Sequence, residues 1–253
     1  MSAQDFAGLT AIVTGGAAGI GLATATLLAE RGARVAVFDR DVSTVAEPFI
    51  GIQADVTDRA SVDAGVARAA ELLGGIDIVI NNAGIGAIGN VEANDDAEWA
   101  RVLDVNVVGI ARVTRAALPW LRTSQAAAIV NTCSIAALNG LPDRALYSAS
   151  KGAVYALTLA MATDHVREGI RVNCVSPGTV GTAWVDRLLE KAENPDAERA
   201  ALEARQAIGR LVAPEEVANA IAYLASPLAG STTGTALDVD GGVSHLRVRP
   251  VTS

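Results

Sequence analysis

The chain is poor in several things at once. Aromatic residues make up 4% of its 253 residues, and only two cysteines, two methionines and two histidines occur. So few aromatics fit badly with a base-stacking platform. Basic residues are outnumbered, 20 against 28 acidic ones, for a formal charge of −8 and a pI near 4.8. With no basic patch, no nucleic-acid partner is expected. There is no C-x-x-C pair and no Cys/His cluster, which argues against a zinc site or a disulfide framework, so no metal is expected. Cys133 and Cys174 lie in the apolar runs IVNTCSI and RVNCVSP and read as buried structural thiols. No apolar run is long enough to span a membrane. The start, MSAQDFAGLTAIV, lacks the charged region and cleavage site of a secretory leader. The expectation is a soluble, cytoplasmic protein with no membrane partner.

What is present is apolar and periodic. Apolar residues make up 51% and charged residues 19%, which excludes a disordered chain. Residues 9–13 form a short β-branched run that stops at Thr14-Gly15-Gly16. A helical pattern over 19–31 ends at Gly32, and 33–38 is again strand-like. This predicts two parallel strands joined by a crossover helix. Further strands are predicted at 50–53, 76–80, 127–133, 170–175 and 236–239. Helices are predicted at 58–73, 95–118, 144–167, 184–192, 196–207 and 214–225. Asp58 or Thr57 should cap the helix at 58–73, Gly74-Gly75 should stop it, and Pro119 is placed to interrupt or redirect the long helix before it. Strict alternation predicts one α/β domain over 1–253: a Rossmann-type three-layer α/β/α fold with a mostly parallel seven-stranded sheet. The most polar stretch, 190–205, follows a strand's carboxyl end, where such sheets bind ligands. It predicts a substrate lid over about 183–210, against the plainer reading of a solvated helix pair.

Thr14-Gly15-Gly16-Ala17-Ala18-Gly19-Ile20-Gly21 falls between a predicted strand and a predicted helix. That context gives the glycines meaning. Gly15 allows a tight turn, Gly19 lets backbone approach a pyrophosphate at the helix N-terminus, and Gly21 permits close helix–strand packing. Asp39 ends the second strand, where a carboxylate accepts both ribose hydroxyls of an adenosine and repels a 2′-phosphate. Arg40 is flanked by Asp39 and Asp41, and the glycine loop carries no basic residue. The cofactor expected is therefore NAD rather than NADP. Asp55 is placed to bond the adenine amino group, with Val56 offering backbone. A simple turn role for Asp55 is as good a reading.

Tyr147 and Lys151 are four apart on a predicted helix and share a face. A phenol is a poor base at neutral pH. An ammonium on the same face, with the charge of an oxidised nicotinamide, stabilises the phenolate and lets it take an alcohol proton. Ser134 lies just past a strand's carboxyl end, where a hydroxyl can hold the substrate oxygen. Asn106 sits inside a helical pattern that disfavours asparagine, so it is expected to reach a water or a backbone group that relays protons.

The ordered set of the glycine loop, Asn81-Asn82-Ala83-Gly84, Asn106, Ser134, Tyr147-x-x-x-Lys151 and Ser176-Pro177-Gly178 resembles the short-chain dehydrogenase/reductase family over about residues 7–243. The resemblance implies a catalytic tetrad of Asn106, Ser134, Tyr147 and Lys151. It also implies cofactor contacts from Gly15, Ala18, Gly19, Ile20 and Gly21. Asn82-Ala83-Gly84 would run beside the cofactor ribose, which Lys151 would also hold. Pro177-Gly178 would touch the nicotinamide, and Val180 and Thr182 its carboxamide. Homotetramers are common in the family, with 134–167 and 241–251 as the expected contacts.

Within the family the chain looks most like a branch acting on small hydroxy acids and sugar acids. That branch includes 3-hydroxybutyrate and 2-keto-3-deoxy-L-fuconate dehydrogenases. The residues behind this are Pro177-Gly178-Thr179-Val180-x-Thr182, the segment 194–206, and Gly209-Arg210. Arg144 and Arg205 are then expected to grip a substrate carboxylate, with Arg187 a weaker third. Trp184 departs from the branch's pattern. The plainer reading of each arginine is a surface ion pair. The alternatives are a free-sugar or polyol dehydrogenase, a 3-oxoacyl carrier-protein reductase and a non-enzymatic NAD-sensing scaffold. Asp39 and the acidic pI speak against the carrier-protein reductase, and the complete tetrad against the scaffold.

Overall fold

The computed structural model describes residues 4–183, 185, 189–190 and 194–249. Seven short apolar runs form strands: β1 (Thr10–Thr14), β2 (Arg34–Asp39), β3 (Ile50–Gln53), β4 (Ile78–Asn81), β5 (Ala128–Thr132), β6 (Arg171–Pro177) and β7 (Ala236–Val239). They pair in the order β3-β2-β1-β4-β5-β6-β7. Every pairing is parallel, so both faces need cover.

The helices supply that cover: α1 (Gly19–Glu30), α2 (Arg59–Leu73), α3 (Asp96–Leu103), α4 (Gly109–Leu121), α5 (Ala145–His165), α6 (Pro195–Ala204) and α7 (Pro214–Ala225). Successive strand residues point to opposite faces. Ala11 and Val13 pack with Ala25 and Leu28 of α1 and Val217 and Ile221 of α7. Ile12, between them, packs into the other layer with residues of α2, α4 and α5. Local chemistry sets the helix ends. Asp58 caps α2 by accepting from the Ala60 and Ser61 amides, and Gly74 stops it with φ 84°.

Three sequence expectations are corrected. The pattern at 95–118 is not one helix: α3 and α4 are separated by a π-helical turn, Asp104–Val108. Pro119 does not break the chain, because it lies in the last turn of α4, which runs on to Leu121. Its missing N–H costs α4 only the one bond to the Arg115 carbonyl. The helix expected over 196–207 stops at Ala204. Several strand ends move by a residue or two. Of the helix predicted at 184–192, Trp184, Arg187 and most neighbouring positions lie outside the described residues.

From β1 the chain winds outward through β2 and β3, then returns to place β4 on the other side of β1. Strand order reverses there, and the loops after β1 and β4 diverge into a crevice above the carboxyl ends.

Candidate active site

The loop after β1 is built for a close approach. Gly15 has φ +61°, and a Cβ there would lie 2.9 Å from Ala83 Cα. A Cβ on Gly21 would run into the Gly15 carbonyl oxygen. Gly21 is thus required where α1 closes on Gly15 and Asn82, the residues just past β1 and β4. Gly19 has φ +54°, and a notional Cβ there lies 3.4 Å from the Thr182 methyl. Ala18 precedes α1 and offers no side-chain cap. The first-turn amides of α1 therefore suit an anion such as a pyrophosphate.

Asn82 ties this loop to the strands. Its Nδ2 donates to the Thr14 and Gly15 carbonyls at 3.2 and 3.1 Å, and its Oδ1 accepts from Thr132 Oγ1 at 3.3 Å. Thr14 Oγ1 accepts from the Asn82 and Ala83 amides at 3.0 and 3.1 Å. This threonine was visible in the sequence motif but carried no assigned role. Asp39 reaches the same loop, accepting from the Ala17 amide at 3.2 Å and from the Arg40 amide at 2.8 Å.

Asp55 and Val56 lie farther along the crevice. Asp55 Oδ1 accepts from the Thr57 amide at 2.9 Å and from Thr57 Oγ1 at 2.7 Å. These two bonds outweigh its burial and hold its carboxyl below the usual range. Of the two readings of Asp55, the turn is what its own contacts display. The Val56 carbonyl accepts from Arg112 at 3.0 Å.

A pocket of about 250 Å³ opens over the carboxyl ends of β4, β5 and β6. It brings Ser134, Tyr147 and Lys151 together with Ile20, Asn82 and Gly84. Pro177, Gly178, Val180 and Thr182 line it as well. Gly15, Ala18, Gly19, Gly21, Asp39, Asp55, Val56 and Ala83 lie outside it, along the crevice.

Each candidate catalytic group is fixed by neighbours. Ser134 caps the short turn Ile135–Ala137, its Oγ accepting from the Ala136 amide at 3.1 Å. The hydroxyl proton therefore stays free to donate. Lys151 is buried, and its Nζ donates to the Thr132 carbonyl at 2.8 Å. It stands 5.8 Å from the centre of the Tyr147 ring.

Asn106 lies behind the pocket on the π-turn and is buried. Its Oδ1 accepts from the Ile85 amide at 2.8 Å, and its Nδ2 donates to the Ile85 carbonyl at 2.9 Å. The same Nδ2 donates to Ser150 Oγ at 3.1 Å, and Ser150 Oγ donates to the Tyr147 carbonyl at 2.8 Å. Asn106 does reach a backbone group. The π-turn explains how an asparagine sits there: the extra residue re-aims its side chain out of the helical ladder. Ser150 and the Thr132 carbonyl carried no sequence signal of their own.

Cys133 and Cys174 are free and buried. Cys133 also lines the pocket and donates to the Lys151 carbonyl at 3.3 Å. A hydrogen bond from Cys174 and the Lys151 charge pull its thiol below the ordinary range, and the same contact with burial pushes Cys174 up.

At the pocket wall, Arg144 precedes α5 and Arg205 follows α6. Burial lowers the Arg144 pKa most, and the nearby Arg205 charge lowers it further. Both arginines line the same pocket. Arg144 Nη1 is steadied by the Asp143 carbonyl at 2.8 Å.

The profile of a family described as enoyl-(acyl carrier protein) reductase matches residues 15–244. The chain belongs to the short-chain dehydrogenase/reductase family. This oxidoreductase is 40% identical over 245 residues to 2-(S)-hydroxypropyl-CoM dehydrogenase 3 of Xanthobacter autotrophicus, covering 92% of this chain and 96% of that one. It is 41% identical to cis-4-hydroxycyclohexanecarboxylate dehydrogenase of Sinomonas cyclohexanicum, covering 94% and 98%. A 3-oxoacyl-[acyl-carrier-protein] reductase of Vibrio cholerae is 35% identical, covering 95% and 99%. Among solved structures, the aldohexose dehydrogenase of Thermoplasma acidophilum superposes with a TM-score of 0.92 at 31% identity, covering all of both chains. Among the described residues, no helix is long and apolar enough to cross a membrane.

Proposed function

We propose that this dehydrogenase uses NAD to interconvert a secondary alcohol and a ketone on a small hydroxy acid. The observation that carries the reading is the meeting of Ser134, Tyr147 and Lys151 in one pocket with Arg144 and Arg205 at its wall. The cofactor fits the residues present, since the uncapped N-terminus of α1 and the glycine loop offer amides to a pyrophosphate. When bound, the nicotinamide supplies the acceptor or donor of hydride. Asp39 favours NAD because its carboxylate would face a 2′-phosphate with like charge.

The chain's own groups handle the oxygen and its proton. Ser134 donates to the substrate oxygen. Tyr147 takes the hydroxyl proton, and Lys151 holds positive charge beside the ring. Asn106 fixes the Ile85 backbone and, through Ser150, the start of α5. Arg144 and Arg205 hold the carboxylate. Support for an acidic alcohol comes from the relative whose name specifies a hydroxycyclohexanecarboxylate. The narrower kinship with 3-hydroxybutyrate and 2-keto-3-deoxy-L-fuconate dehydrogenases rests on the 177–182 and 194–210 segments alone.

A second reading, a free-sugar dehydrogenase, is favoured by the similarity to an aldohexose dehydrogenase. Carrier-protein reduction is the weaker alternative, since the surface charge is acidic. NAD-linked oxidation of a panel of hydroxy acids, aldonates and free sugars tests these together. Hydroxy acids should give the highest kcat/KM, and no NAD reduction by any alcohol would end the dehydrogenase reading. The segment over about 183–210 acts as a substrate lid, supported by the presence of Val185, Leu202 and Arg205 in the pocket wall. A cytoplasmic homotetramer completes the proposal, with exposed Leu159 and Val166 on and beyond α5 and exposed Leu246 and Val248 as contact candidates.

A further inference from the structure

The pocket wall is made largely of hydrocarbon. Ile85 and Ala87 come from the loop after β4, Ile135 and Leu141 from the segment before α5, and Val185 and Leu202 from the insertion. These side chains have firm backing. Ala87, Ile85 and the Tyr147 ring pack in one small core with Val102 and Leu146. Val185 and Leu202 pack in another with Leu189 and Leu211. The wall is therefore not free to turn polar groups inward.

The polar groups of the pocket are mostly engaged. Asn82 Nδ2 bonds the glycine loop, and Thr132 gives its hydroxyl to Asn82. Lys151 Nζ donates to a carbonyl. Among the described residues, that leaves Ser134, Tyr147, Thr179 and Thr182 as lining hydroxyls and Arg144 and Arg205 as lining cations.

We infer that the substrate is a compact monohydroxy acid with an apolar carbon skeleton, its carboxylate lodged between Arg144 and Arg205, and that polyhydroxylated acids and free sugars are rejected. The inference rests on the dehydrogenase reading above and narrows it. The single reacting hydroxyl meets Ser134 and Tyr147. The skeleton lies against Ile85, Ile135, Leu141 and Leu202, where burial favours it. The carboxylate meets the two cations that line the pocket. An aldonate or hexose would bring several more hydroxyls against this largely apolar wall. Each buried hydroxyl left without a partner costs roughly tenfold in affinity.

Calorimetric titration of the NADH-saturated protein tests this without turnover, using cyclohexanecarboxylate, cyclohexanol, gluconate and glucose as probes. Cyclohexanecarboxylate should bind at least about tenfold more tightly than each of the other three. Arg205→Ala should abolish its advantage over cyclohexanol, and Arg205→Lys should restore part of it. Leu141→Ser should weaken cyclohexanecarboxylate and cyclohexanol alike. Gluconate or glucose binding as tightly as cyclohexanecarboxylate overturns the inference, and so does an Arg205→Ala protein that keeps the full preference for the acid. A protein that keeps this binding order but reduces NAD with no alcohol upholds the pocket chemistry and sinks only the dehydrogenase reading.

Discussion

Tyr147 and Lys151 stand one helical turn apart on α5, and the lysine is held by a strand carbonyl rather than by a carboxylate. Its charge therefore remains uncompensated beside the ring. Tyr147→Phe keeps the ring and removes the proton acceptor. We expect kcat to fall at least about a hundredfold while NAD affinity, measured by fluorescence titration, stays within about twofold. A variant with near-normal kcat would show that another group takes the proton. Asp39 answers a different question. Its carboxylate bonds the Ala17 and Arg40 amides, so its place beside the glycine loop is fixed before any ligand arrives. The native protein should prefer NAD over NADP by at least about tenfold in kcat/KM, about 1.4 kcal/mol, and Asp39→Ala should narrow that gap. Equal use of the two cofactors by the native protein would remove Asp39 from the selection.

At the scale of elements, ends and interruptions matter more than interiors. The sequence named Asp58 as a possible cap of α2, and its side chain accepts from two first-turn amides. Asp58→Ala should cost about 1 kcal/mol, a fall in Tm of roughly 2–4 °C for a chain of this size. Because α2 packs against α4, β2 and β3 and lines no part of the pocket, kcat should not change, and a fall in kcat would mean the cap also positions the site. The π-turn between α3 and α4 is the opposite case. Nothing in the pattern of 95–118 announces it, since hydrophobic spacing blurs across one extra residue. Its effect is local and large: it delivers Asn106 to both backbone groups of Ile85.

At the scale of the whole molecule, one contact joins sequence extremes. Asp5 receives Arg31 at the end of α1 at 2.6 Å and Ser226 at the end of α7 at 2.6 Å. Burial raises the Asp5 pKa, but the bonds from Ser226 and Arg31 and the Arg31 charge outweigh it, and the net shift is downward. A carboxylate whose folded pKa is depressed contributes stability above its unfolded value, about 3.9, and loses it as pH falls through the folded value. Asp5→Asn should lower stability at pH 7 by roughly 1–3 kcal/mol. In urea titrations that difference should shrink below about pH 4. A difference independent of pH would mean that the side chain acts by packing alone. The proposed tetramer belongs to this scale too. Light scattering at micromolar concentration should give four times the mass of the 25.8 kDa chain, and a monomer would rule it out.

The sequence alone determined the alternation of strands and helices, the glycine loop and the placing of Tyr147 and Lys151 on one helix face. Each of these is a short-range signal: a period of two or 3.6, a glycine beside a predicted helix, or two residues one turn apart. It also placed the β3 run at 50–53 and the α7 run at 214–225, which begin and end as predicted. Tertiary structure decided what depends on distances across the fold. Gly21 must be glycine because the Gly15 carbonyl returns against it. Arg144 and Arg205, far apart in the chain, share one pocket because α5 begins, and α6 of the insertion ends, over the carboxyl edge of the sheet. No periodicity carries that information, since it arises only when helices pack on both faces of a parallel sheet and their loops meet at its switch point.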